Sequence, residues 1–170
     1  MKNYTVLAVA LVILVSISGI AGCGELESQI SGFDLEFKYG ITARNVLNTF
    51  EGTYTKDMVA DPPITIDFTL SEEEKEEIYL KMVEIDFFDY PDEFSVEISP
   101  DDMVTIVTPY SSYYFRVACD SQIKELRWDD DIKNPDQQAD RLRELITLIR
   151  NIIESNEKYK ALPTPTSAYS

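Results

Sequence analysis

The sequence predicts an α+β fold, a largely antiparallel sheet of about six to seven strands with two main helices packed on one face. Three observations carry this expectation. Short runs of apolar residues alternate with polar ones on both sides of a capped helical segment. A longer helical pattern follows near the C-terminus. The resulting order is three strands, a helix, four strands, a helix.

Phe33, Leu35, Phe37 and Tyr39 alternate with Asp34, Glu36 and Lys38, the period of a strand with one buried face, and Gly40 ends it. Residues 46–58 read as a second, less regular strand in which Phe50, Tyr54 and Met58 share a face. Ile64, Ile66, Phe68 and Leu70 alternate with Thr65, Asp67 and Thr69 as a third. Ser71 and Glu74 then form a capping box, and Glu72 and Glu73 occupy the first turn, where the helix dipole favours negative charge. Ile78, Tyr79, Met82, Val83 and Phe87 supply that helix with a core-facing stripe, and Tyr90-Pro91 stops it, because a residue before proline avoids the helical region.

Phe94, Val96 and Ile98 alternate as a fourth strand, and residues 103–108 form a fifth between Pro100 and Pro109. Residues 113–119 and 123–128 make a hairpin turned through Asp120, Ser121 and Gln122. In the last helix Asn134 caps, Pro135 takes the first position, and Ala139, Leu142, Leu145, Ile146, Ile149, Ile152 and Ile153 recur at helical spacing to about Glu157. Residues 33–162 are thus expected to form one domain. Residues 163–170, rich in proline and threonine with no core residue before Tyr169, are expected to be a disordered tail.

Residues 1–22 read as an export signal: Lys2, then residues 6–15 without a polar side chain, then Ser16-Ile17-Ser18-Gly19. Ile20-Ala21-Gly22-Cys23 follows, small residues before a cysteine that has an aliphatic residue three positions upstream. This resembles the lipobox of prokaryotic lipoproteins. The resemblance implies that the Cys23 thiol receives a diacylglyceryl group and that a peptidase cuts between Gly22 and Cys23. Residues 23–32 would then be the lipidated cysteine and a short tether. The rival reading is a retained membrane helix, since the uncharged stretch from Asn3 to Gly24 approaches the ~20 residues needed to span a bilayer. Both readings place the domain outside the cytoplasm. The lipid reading puts it on the outer face of the cytoplasmic membrane, or on an outer membrane where the organism has one. The body also resembles prokaryotic lipoproteins of unknown function in the phrases Thr53-Tyr54-Thr55-Lys56-Asp57-Met58 and Phe87-Phe88-Asp89-Tyr90-Pro91. That resemblance implies no particular activity.

With Cys23 acylated, Cys119 has no disulfide partner in the chain, and its register with Tyr113, Phe115 and Val117 predicts a small buried hydrophobe. The chain holds 31 acidic and 15 basic residues, a net charge of −16, and no basic cluster, so nucleic acid is not expected as a partner. Absence of histidine removes Ser-His-Asp and Cys-His nucleophiles and histidine metal centres. All six glycines lie at or before Gly52, so the rest of the chain has no glycine-rich phosphate cradle or nucleophile elbow. No cofactor and no catalytic residue is expected.

Paired carboxylates can hydrolyse glycosides without histidine, and Asp101-Asp102 and Asp129-Asp130-Asp131 lie at expected strand ends. Asp129, Asp130, Asp131 and Asp136 are also concentrated oxygen ligands for calcium, with Asp129 and Asp131 the metal candidates, although Lys133 and Pro135 break the EF-hand spacing. Tyr110 and Tyr114, with Trp128 on the paired strand, are the candidates for a flat aromatic face toward a sugar or peptide, Tyr113 belonging with Phe115 to the core. The expected function is therefore a membrane-anchored lipoprotein whose domain binds an envelope protein, a polymer or a small ligand. A carboxylate-dependent hydrolase and a calcium-binding surface module are the alternatives.

Overall fold

The computed structural model describes residues 32–101, 103–119 and 122–169. The leader, Cys23 and the tether as far as residue 31 lie outside the described residues, as do Asp102, Asp120, Ser121 and Ser170.

Among the described residues seven strands form one sheet: β1 Asp34–Tyr39, β2 Asn45–Asn48, β3 Thr53–Met58, β4 Asp61–Asp67, β5 Glu93–Phe94, β6 Ser112–Cys119 and β7 Gln122–Asp129. Their order is β4-β3-β2-β1-β6-β7-β5, and every pairing is antiparallel except β5 with β7. Two main helices, α1 Glu72–Glu84 and α2 Gln137–Ser155, and a short α3 Glu157–Lys160 complete the α+β architecture that the sequence predicts. Among the described residues no helix is long and apolar enough to cross a membrane.

The register explains the core. Ile66, Tyr54, Leu47, Phe37, Phe115 and Leu126 lie opposite one another across six adjacent strands, so one row of side chains crosses the sheet on one face. Ile78 and Met82 of α1 and all seven apolar residues expected in α2 join them in a single buried cluster. Each such large side chain, removed from water, contributes about 1.5–3 kcal/mol. On the opposite face the corresponding row reads Asp67, Thr53, Asn48, Glu36, Arg116 and Glu125. Among the described residues no helix buries that row, whose positions are half-buried or exposed, which suits its polar side chains.

Several elements differ from the sequence expectation, each for a local reason. Residues 46–58 form two strands: Glu51 N–H donates to Asn48 Oδ1 at 3.2 Å and Gly52 takes φ +66°, so the chain turns. Phe50 therefore leaves the face of Tyr54 and lies half exposed beneath Arg116, 4.8 Å from the guanidinium. Pro62 and Pro63 sit in β4, which is tolerated because β4 is an edge strand. The capping box at Ser71 is present, but α1 ends well before Tyr90-Pro91. Asp86 stands at φ +58°, a left-handed conformation that Asp accepts more readily than most residues and that breaks the helix. Val83 is consequently exposed, and a 3₁₀ turn, Phe87–Asp89, brings Phe87 into the core.

The fourth expected strand is cut to Glu93–Phe94, with Val96 buried but outside the ladder. Residues 103–108 do not form a strand. One ladder bridge, Ile106 to Ile132, joins them to the residues after β7, and Met103 is 91 % exposed. Asp136, not Asn134, caps α2, its Oδ1 accepting from Ala139 N–H at 2.8 Å. Asn134 instead pins the 103–108 segment, accepting from Thr105 N–H and donating to Met103 O, both at 2.9 Å. Cys119 is half-buried rather than buried. Residues 163–169, read from composition as a disordered tail, lie against β3 and β4. Thr166 Oγ1 donates to Asp61 Oδ2 at 2.9 Å, and the Tyr169 hydroxyl donates to Asp57.

Candidate functional site

The hairpin of β6 and β7 brings part of the expected site together and separates the rest. Tyr114, Asp129 and Asp131 line a cleft of about 660 Å³ at the β5 end of the sheet, with Lys38, Glu93 and Arg127. Tyr114 pairs with Arg127 on the open face, and its ring lies 5.3 Å from that guanidinium and 5.2 Å from Lys38 Nζ. Trp128, although it touches the same cleft, faces the other way. It pairs with Tyr113, is only 2 % exposed, and packs against Phe94, Tyr113 and Arg143. Strand alternation alone separates these two rings, because residues at 114 and 128 are one step out of register across the hairpin. Tyr110 is half exposed outside the cleft, so the three aromatics make no common platform.

The aspartates divide in the same manner. Asp129 and Asp131 face the cleft, while Asp130 points inward and accepts from Arg143 Nη2 at 2.7 Å and Lys133 Nζ at 2.7 Å. Asp136 is spent on the α2 cap. Among the described residues no three acidic or cysteine side chains converge where a metal ion could sit. Among the described residues the buried carboxylates are Asp57 and Asp130, and each is held by its own cation rather than by the other. Arg44 Nε stands 3.7 Å from Asp57, which also accepts from Val59 N–H at 3.1 Å, and Arg143 and Lys133 hold Asp130.

A second polar depression, about 360 Å³, lies between β3, α2 and α3 and is built from Tyr39, Asn45, Lys56, Asp57, Arg150 and Tyr159 among others. None of these was singled out from sequence as a site residue, yet the signal was there. Once Tyr54 and Met58 are assigned to the buried face, period 2 places Lys56 on it too, and it is 8 % exposed. In this depression the Tyr39 hydroxyl hydrogen-bonds the buried Tyr54 hydroxyl at 2.8 Å, and the Tyr54 hydroxyl donates to Asn45 Oδ1 at 3.5 Å. Burial pushes the Tyr39 phenol up to about 12 and raises Tyr54 as well.

An alkaline instability follows. A phenol whose pKa is raised on folding contributes stability that is complete below pH 10 and is lost as pH climbs to about 12, about 3 kcal/mol for the Tyr39 shift alone. Denaturant unfolding from pH 8 to 12 should show a fall that Tyr39→Phe makes shallower, and an unchanged slope in that variant would remove Tyr39 as a source.

No protein-family model matches the chain, and no curated protein matches it.

Proposed function

We propose that this chain is a membrane-anchored extracytoplasmic lipoprotein, acylated on Cys23, whose acidic domain works by binding rather than by catalysis. The observation that carries the reading is Ile20-Ala21-Gly22-Cys23 at the end of an uncharged apolar leader. Two acyl chains suffice for stable attachment, since each buried methylene contributes about 0.8 kcal/mol and one chain alone holds only marginally. Binding is favoured over hydrolysis because each buried carboxylate among the described residues already faces a cation, whereas a carboxylate pair needs two acids across a gap with one of them desolvated. Binding is further supported by the cleft, where Asp129 and Asp131 have no ion-pair partner among the described residues.

Expression in a prokaryotic host with Cys23→Ala beside the wild type tests the anchor. The wild-type protein should sediment with membranes and carry a diacylglyceryl mass on its first residue. The variant should remain an unacylated precursor. A wild-type protein that matures elsewhere without lipid sinks the proposal.

A further inference from the structure

We infer that the cavity between β3, α2 and α3 is a binding site for a small monocarboxylate with a flat apolar body, whose charge is received by Lys56. The argument begins with an imbalance. Lys56 is 8 % exposed, lines the cavity, and has its Nζ 4.7 Å from the centroid of the Tyr159 ring. Among the described residues no carboxylate lies within ion-pair distance of that ammonium, and no side-chain or backbone oxygen accepts a hydrogen bond from it. The stem of Lys56 is buried while its ammonium opens to the cavity, where the cation–π contact is worth about 0.5–2 kcal/mol, so the charge is free to receive an anion from solvent. In a chain with 31 acidic residues against 15 basic ones, such a cation stands out.

The other charges of the cavity are already matched. Arg150 holds Glu154 at 3.0 Å, and Arg44 faces Asp57 at 3.7 Å. One positive charge remains unspent, which suits one negative charge. A dianion is disfavoured, because Asp57 and Glu154 line the same space. The walls are Tyr39, Tyr159 and Pro165, flat surfaces that fit an aromatic or similarly planar body. The volume, about 360 Å³, is at the lower end of small-molecule pockets. Thr164, Pro165 and Tyr169 roof the space, held by the contacts of Thr166 with Asp61 and Tyr169 with Asp57. The tail thus covers a ligand once it is seated.

Benzoate is the probe, titrated into the full-length protein in detergent by calorimetry and by NMR of the tyrosine rings, with benzylamine and inorganic phosphate in parallel. Benzoate should bind saturably and shift Tyr159 and Tyr169, and benzylamine should not bind. Lys56→Met should weaken benzoate about tenfold or more, the loss of one charge-assisted hydrogen bond, and Lys56→Arg should retain most of it. Absence of saturable benzoate binding by the wild type overturns the proposal, as does unchanged affinity in Lys56→Met. Phosphate binding more tightly than benzoate overturns the monocarboxylate assignment. Should Lys56→Met fail to fold, the wild-type ring shifts decide alone. The outcome is independent of Cys23: an unlipidated chain leaves this titration unaffected, and a failed titration leaves the anchor standing.

Discussion

Phe37→Ala is expected to destabilise the domain by about 3–5 kcal/mol, lowering the thermal midpoint by roughly 10 °C or more. Phe37 is fully buried at the centre of the row that crosses the sheet. Its ring stacks on Tyr39 at 5.0 Å and packs on Phe115 at 4.8 Å. Tyr39 is fixed in β1, the strand of Phe37 itself, and Phe115 in the paired β6, so they cannot close on the space left behind, and the variant loses transfer free energy and contacts together. Phe50→Ala is the matched control. Phe50 lies in the turn between β2 and β3, half exposed under Arg116, and its removal should cost under about 1 kcal/mol, mostly the cation–π contact. Equal losses in the two variants, measured by denaturant unfolding, would show that the register placing Phe37 inside and Phe50 outside is wrong.

Asp130→Ala should cost about 3 kcal/mol, for an electrostatic reason. Asp130 is 6 % exposed and ties the end of β7 to α2 through Arg143, whose guanidinium also lies 5.3 Å from the Trp128 ring. Removing the carboxylate leaves Arg143 partly buried beside an indole without its main counter-charge, and broken buried pairs typically cost about 3–5 kcal/mol. The lower end applies because Arg143 keeps Asp140 at 2.6 Å and is itself about a quarter exposed. Arg143→Met alone should cost less, since Lys133 still neutralises Asp130. The double variant should be less harmful than the two single effects added together. A double-mutant cycle with zero coupling would mean that the pair is a surface contact of no consequence.

The same two residues show how much of this protein could be read beforehand. The buried identity of Phe37 is a matter of period 2 in β1 and was legible. Asp130 was legible as one of three adjacent aspartates but not as the one that turns inward, because the choice among them depends on which strand face β7 presents to α2. The candidate site suffered from this limit more than the fold did. Tyr114 and Trp128 are neighbours in the hairpin, yet they point to opposite faces, and only the pairing of Tyr113 with Trp128 decides it. Lys56 was hidden by the same ambiguity in reverse. Residues 46–58 read as one irregular strand, a pattern that does not say which face Lys56 takes.

By itself the sequence determined what depends on neighbours along the chain: the α+β class, the capped start of α1 and the buried stripe of α2. These are set by spacing, capping chemistry and local conformational preference, which act over a few residues. Only the tertiary structure decided where residues distant in sequence meet: the order of strands, the inward turn of Asp130, the lone edge of residues 103–108, and the tail lying against β3 beside a buried lysine. Such meetings are settled by competition for a limited interior among segments far apart in the chain, and no local pattern records the result.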